Sequence, residues 1–198
     1  MVLRLFLCAS AALREVLSSV CPFPDNRNQM ILLGYRGSGK TTIGRLLAQQ
    51  MNLPFVDTDD LIIAMADRSI REIFEQKGES YFRDLESLAV QDACDREAII
   101  ALGGGAILRE SNRKRLTASS HRRIYLRCEA QALHDRIHAD PRTAANRPSL
   151  THLGGGIEEI RSLLLIREPL YRAVMTEELD VTNLSAIDAA QQLAKAVT

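Results

Sequence analysis

The residues best suited to chemistry lie in one octapeptide, "GYRGSGKT", from Gly34 to Thr41. Its spacing is G-x-x-x-x-G-K-[ST], the pattern of a phosphate-binding loop. Its glycines let the backbone turn tightly, so that successive N–H groups point inward and form an anion nest. Gly37, Ser38, Gly39, Lys40, Thr41 and Thr42 would surround a nucleotide polyphosphate. Lys40 would reach its β- and γ-phosphates, and the Thr41 hydroxyl would serve Mg²⁺. The loop needs a strand before it and a helix after it, and both flanks agree. "MILL" is a short apolar run suited to a strand buried on both faces. "TTIGRLLAQQMNL" spaces Ile43, Leu46, Leu47 and Met51 as one helical stripe, whose N-terminal dipole adds to the anion site.

Further polar groups follow later apolar runs. Asp57 and Asp59, in "VDTDD", stand two apart where a second run ends. One could hold a water on Mg²⁺ and the other accept the proton of an attacking hydroxyl. The competing reading is a helix N-cap, which Asp59 or Asp60 would serve. Of two "LGGG" strings, Leu102–Gly105 follows "AIIA", so its glycines close a buried strand and let a ligand approach backbone N–H groups. Leu153–Gly156 follows polar residues and reads as a joint before a helix. The stretch "HADPRTAANRPSL" is polar, proline-marked and cationic. Its Arg142 and Arg147 suit a mobile segment that closes over ATP, or a plain solvated loop. Arg83 in "YFRD" and Arg167 in "IREPLY" lie in helical patterns, where surface salt bridges account for them as well.

The elements that must position these groups alternate along the chain. "MILL", "PFVDTD", "AIIALGGG", "RIYLRC" from Arg123 and "LDVTN" from Leu179 read as five strands. Helical stretches separate them, among them "SIREIFEQKG", "YFRDLESLAVQDACD" and "AQALHDRIHA". This alternation predicts a parallel α/β sheet, with ligands at the carboxyl ends of its strands.

With 198 residues, 46% of them hydrophobic, the chain can bury one sizeable core, expected over residues 29–198. Residues 1–28 read as an extension, disordered or dispensable. Its "LRLFLCASAAL" faintly resembles a secretory signal, but it is too short to span a membrane and Arg14 and Glu15 interrupt it. The 25 basic and 25 acidic side chains cancel, and tryptophan is absent, which argues against a nucleic-acid-binding face. Cys8, Cys21, Cys94 and Cys128 follow no metal or disulfide spacing and read as reduced thiols. His134 and His138, four apart, could share a metal but lack a third ligand, and a solvated helix face is the simpler reading.

Together these stretches resemble the shikimate kinase family over roughly residues 30–197. The resemblance implies an α/β, three-layer P-loop kinase fold with a central five-stranded parallel sheet, a substrate subdomain and a mobile lid. It implies transfer of the γ-phosphate of ATP to the 3-hydroxyl of shikimate, with Mg²⁺ as cofactor, on the route to chorismate and the aromatic amino acids. The partners implied are these small molecules, with no nucleic acid and no membrane, for a cytoplasmic monomer. By the same resemblance Lys40, Asp59 and Arg147 are catalytic, and Thr41 and, through a water, Asp57 serve the metal. Arg83 and Arg167 hold the shikimate carboxylate, with Asp59, Gly104 and Gly105 beside the substrate. Arg147, in "NRPSL", is the lid arginine and Arg136 lies against the adenine. Arg36, present in only some relatives, can face the substrate carboxylate. The sequence departs from the family at Ser149, where leucine is more usual, and in a longer span from Arg136 to Arg147. The alternatives are another small-metabolite P-loop kinase, such as a gluconate kinase, and an inactive nucleotide-binding regulator. The first usually lacks the two arginines of "FRDLE" and "REPLY" together. The second has no physical need to keep Lys40, Thr41, Asp57, Asp59 and Arg147.

Overall fold

The computed structural model describes residues 29–139 and 156–196. Strand β1 (Met30–Leu33) is buried along its whole length. Its period-two alternation sends Met30 and Leu32 into one core and Ile31 and Leu33 into another, on opposite faces of the sheet. It lies between β3 (Ile99–Ala101) and β4 (Arg122–Arg127), with β2 (Phe55–Asp57) and β5 (Glu177–Asp180) at the edges. All pairings are parallel, in the order β2-β3-β1-β4-β5, so the five expected strands form the expected sheet.

Two strands begin earlier than hydrophobicity predicts, β4 at Arg122 and β5 at Glu177. These two side chains pair across the sheet through hydrogen bonds of 2.8 and 2.7 Å. Such a bidentate pair extends a strand without an apolar residue to announce it.

Helices cover both faces. On the Met30 side lie α1 (Lys40–Met51), α5 (Ala130–Ala139) and α7 (Ala186–Lys195), through Ile43, Leu47, Leu133, Ile137, Ala189 and Leu193. The Ile31 side is covered by α3 (Ile70–Ala93), α4 (Glu110–Ala118) and the C-terminal half of α6 (Ile157–Val174). The N-terminal half of α6 instead packs Ile160 and Leu164 into the Met30 core. A smaller core of Ile62, Ile73, Phe82, Leu85 and Ala89 joins α2 (Thr58–Ala66) to α3. The two helical stretches expected within residues 69–95 follow one another in α3, divided by a kink at Gly78, whose φ of 78° and ψ of 175° are not helical. A capping box starts it: Ser69 Oγ accepts from the Glu72 N–H at 3.2 Å, and Glu72 Oε2 from the Ser69 N–H at 2.8 Å.

Cys94 and Cys128 are free and buried, and burial pushes the Cys94 thiol up to about 11. Cys8 and Cys21 lie outside the described residues, as does the whole 1–28 extension. The His134 and His138 rings lie 4.0 Å apart on α5, and among the described residues no group of three or more metal-ligating side chains forms. None of the described helices is long and apolar enough to cross a membrane.

Candidate active site

A cavity of about 830 Å³ opens where β1, β2, β3 and β5 end. The chain leaves β1 at Leu33 and turns through the glycine-rich loop into α1. Gly39 occupies the N-cap position at φ 91° and ψ 9°, a conformation that strains any residue with a Cβ. No side chain caps this helix and no acidic residue lies in its first turn, so its backbone N–H groups remain available to an anion in the cavity. Gly37, Ser38, Gly39, Lys40, Thr41 and Thr42 all line that cavity, as the octapeptide predicts. Lys40 folds back over the loop, where Nζ donates to the Gly34 carbonyl at 2.9 Å and the Tyr35 carbonyl at 2.8 Å.

The acidic segment joins the loop from β2. Thr41 Oγ1 donates to Asp57 Oδ2 at 2.8 Å, while Asp57 Oδ1 accepts from the Asp59 N–H at 3.0 Å. Asp57 is therefore the N-cap of α2, which corrects the reading that gave this role to Asp59 or Asp60. The helix starts directly after the strand, so the last extended residue is the one placed to cap it. Asp59 then falls in the first turn, lining the cavity. Burial first, then Asp57, pushes the Asp60 carboxyl above the usual carboxylate range.

The glycine loop after β3 uses its groups differently from expectation. The Gly103 N–H donates to Thr58 Oγ1 at 2.8 Å, so it serves the protein and not a ligand. Thr58, fully buried, also donates to the Ala101 carbonyl at 3.4 Å and so ties α2 to β3. The Gly104 carbonyl accepts from the Tyr171 hydroxyl at 2.6 Å and, at 3.5 Å, from Arg167. At Gly105 a Cβ would sit 2.5 Å from Arg83 Nη1, so a larger residue there would make the guanidinium shift.

Arg83 and Arg167 face a second cavity of about 330 Å³. The surface salt-bridge reading fails for both, because Arg167 is 5% exposed and the Arg83 side chain 13%. Arg83 is held by Glu86 at 2.7 Å and by Glu79 at 3.1 Å. Burial opposes its charge, but these carboxylates outweigh burial and raise its pKa. Burial likewise pushes the Glu86 carboxyl up, against the pull of Arg83 and then Arg167. Arg167 lies over the Tyr35 ring at 5.5 Å. Arg36, Asp59, Gly103 and Gly104 line both cavities, so these form a common wall. The second cavity thus offers guanidinium groups to a carboxylate and carboxylates to hydroxyl donors.

At another part of the first cavity, Arg136 Nη2 donates to the carbonyls of Val181 at 2.7 Å and Thr182 at 3.1 Å, tying α5 to the β5–α7 loop. Arg142, Arg147 and Ser149 lie outside the described residues, and so does the second glycine string except Gly156, the N-cap of α6. Sequence reasoning missed Glu86, Thr58 and Tyr171. Glu86 had a local signal, three residues after Arg83 in "FRDLE". Tyr171 sits one turn after Arg167 in "REPLY".

A phosphate-binding loop whose cavity shares a wall with a smaller polar one defines a P-loop kinase acting on a small metabolite. The family model described as shikimate kinase matches residues 36–198. A shikimate kinase of Rhodopirellula baltica is 42% identical over 168 residues, 84% of this chain and 89% of that protein. Shikimate kinase 2 of Yersinia enterocolitica is 41% identical over 155 residues, covering 78% and 87% respectively. The solved shikimate kinase from Acinetobacter baumannii in complex with shikimate has a TM-score of 0.78 at 33% identity, covering 85% of this chain and 92% of that one. The chain belongs to the shikimate kinase family. A gluconokinase from Sinorhizobium meliloti, at 18% identity and a TM-score of 0.57, shares the fold alone.

Proposed function

We propose that this kinase transfers the γ-phosphoryl group of ATP to the 3-hydroxyl of shikimate, with the ATP phosphates in the larger cavity and shikimate in the smaller. The observation that carries this reading is the shared wall: Asp59 borders both the loop that would hold ATP and the cavity faced by Arg83 and Arg167. Shikimate has one carboxylate and three hydroxyls, which matches arginines at one part of the cavity and carboxylates at another.

In this reading the N–H groups from Gly37 to Thr42 cradle the triphosphate. Lys40 exchanges its two loop carbonyls for phosphate oxygens, where it offsets the charge that develops during transfer. Arg83 and Arg167 clamp the carboxylate, Glu86 orients Arg83, and Gly104 and Gly105 give the arginines and the substrate room. Asp59 accepts the proton of the attacking hydroxyl as its oxygen bonds to the γ-phosphorus and the bond to the ADP oxygen breaks. Thr41 and Asp57 offer the hard oxygen donors that suit Mg²⁺, which when bound neutralises phosphate charge. Arg136 flanks the adenine, and Arg147, by family resemblance, completes the closed site. We further propose that the enzyme works as a cytoplasmic monomer.

Coupled ADP release with and without shikimate, with gluconate as comparator, tests the proposal. Release should rise steeply with shikimate only. A rate indifferent to shikimate, or higher with gluconate, would overturn it.

A further inference from the structure

We infer that Tyr171 is a positioning residue: its hydroxyl occupies the Gly104 carbonyl and so leaves the Arg167 guanidinium available to the substrate carboxylate. This rests on the activity proposed above.

Two side chains of α6 meet at one backbone oxygen. The Gly104 carbonyl accepts from Tyr171 Oη at 2.6 Å and from Arg167 Nη1 at 3.5 Å. The first bond is short and the second lies at the limit of hydrogen bonding, so the phenol holds this acceptor and the arginine barely touches it. Arg167 and Tyr171 stand four apart, which puts both on one face of the helix. Gly104 is confined from another side as well. A Cβ on it would lie 3.4 Å from Gly34 O and from Arg36 N, backbone atoms of the phosphate-binding loop.

Tyr171 is itself held in place. It is 1% exposed, and its ring stacks on that of Tyr125 in β4, with centroids 5.0 Å apart and planes at 16°. Burial pushes its phenol well above the ordinary value, against the pull of the Arg167 charge, so the hydroxyl keeps its proton and stays a donor. Arg167 differs in this from Arg83. Two carboxylates grip Arg83, whereas Arg167 borders the same cavity and forms no ion pair among the described residues. A guanidinium buried without a carboxylate is costly, and an anionic ligand relieves that cost.

The hydroxyl keeps Arg167 in this state. Among the described residues, Tyr171 and Arg167 are the side chains that donate to the Gly104 carbonyl. Without the phenol the carbonyl would lack its short bond, and an acceptor left unsatisfied costs more than the bond itself contributes. Arg167 would then be drawn onto the backbone and away from the substrate.

The test compares the full chain with Tyr171→Phe, Arg167→Lys and the double variant. Phenylalanine keeps the stacked ring and removes only the hydroxyl. Shikimate affinity is measured by calorimetry, because the chain has no tryptophan to report binding, alongside KM, kcat and Tm. Shikimate methyl ester, which has no carboxylate, is measured as a competitive inhibitor. Tyr171→Phe should weaken shikimate binding and raise its KM about three- to tenfold, with kcat, the KM for ATP and inhibition by the ester within about twofold. The double variant should bind shikimate as Arg167→Lys does. Equal losses for acid and ester, losses that multiply in the double variant, an effect confined to Tm, or a Tyr171→Phe chain that does not fold would make the hydroxyl structural and overturn the inference. Should the parent bind no shikimate, the activity reading fails separately. The cycle is then read in Tm, where additive losses overturn the Tyr171–Arg167 pairing and non-additive losses support it.

Discussion

Thr41 Oγ1 donates a 2.8 Å hydrogen bond to Asp57 Oδ2, joining the first turn of α1 to the last residue of β2. Two oxygen groups 16 positions apart in sequence are thereby held at one point beside the phosphate-binding loop. Asp57 has a second task as the cap of α2. Asparagine can keep the cap while losing the charge. Asp57→Asn should therefore raise the Mg²⁺ concentration needed for half-maximal ADP release by about tenfold or more, with little change in Tm. A magnesium titration checks this. An unchanged requirement would restrict Asp57 to capping.

Asp59 does not cap α2, so removing its charge should cost chemistry and not helix stability. Asp59→Asn should lower kcat by about 100-fold or more, with ATP affinity and Tm near the parent values. Turnover within about threefold of the parent would remove Asp59 from the proton-accepting role.

Arg83 is gripped by Glu86 and Glu79 and packs its guanidinium against Gly105, where a Cβ would make it shift. Lysine would keep the charge but lose the two-pronged geometry. Losing a charge-assisted bond costs about 1.5–3 kcal/mol, so Arg83→Lys should raise the KM for shikimate about tenfold or more. Shikimate methyl ester, lacking the carboxylate, should bind the parent poorly and lose less on mutation. Equal losses for acid and ester would make the effect structural.

His121 sets an acid-side limit on stability. Its Nε2 lies 3.0 Å from the Arg96 carbonyl, so that nitrogen carries the proton of the neutral ring, while Nδ1 is buried without a partner. Burial, and then the Arg115 and Arg123 charges, lower its pKa in the folded state, even though the Arg96 carbonyl works the other way. The unfolded chain therefore binds a proton first. The stability this provides is full above the unfolded value of about 6.5 and is lost as pH falls through the folded value. Tm measured from pH 8 down to 5 should drop, and His121→Gln should flatten the drop. A parallel curve would place the acid sensitivity elsewhere.

Removing residues 1–28 should leave Tm within about 2 °C and turnover unchanged. The sheet needs Gln29, which is 6% exposed and whose carbonyl accepts from the Arg122 N–H at 3.0 Å, but that residue survives the cut. Thermal melts and ADP release of the truncated chain check the prediction. Aggregation would show that the extension packs on the domain.

The sequence by itself determined the features that depend on local order. The phosphate-binding loop is contiguous, so its glycines, Lys40 and Thr41 were legible from spacing, and the apolar runs flanking it announced strand and helix. The parallel sheet followed from alternation of short apolar runs with helical stripes. The family was legible because its motifs occur in order along the chain. Tertiary structure decided what depends on approach across the fold. Arg83 and Arg167 lie 84 positions apart and look like surface residues in their own helices; only the packing of α3 and α6 around the Gly103–Gly105 loop turns both into one cavity. Burial of Glu86, capping by Asp57 in place of Asp59, and the diversion of the Gly103 N–H to Thr58 share that cause. A side chain's partners across the fold are set by which elements stack, and neither periodicity nor composition encodes that at a single position.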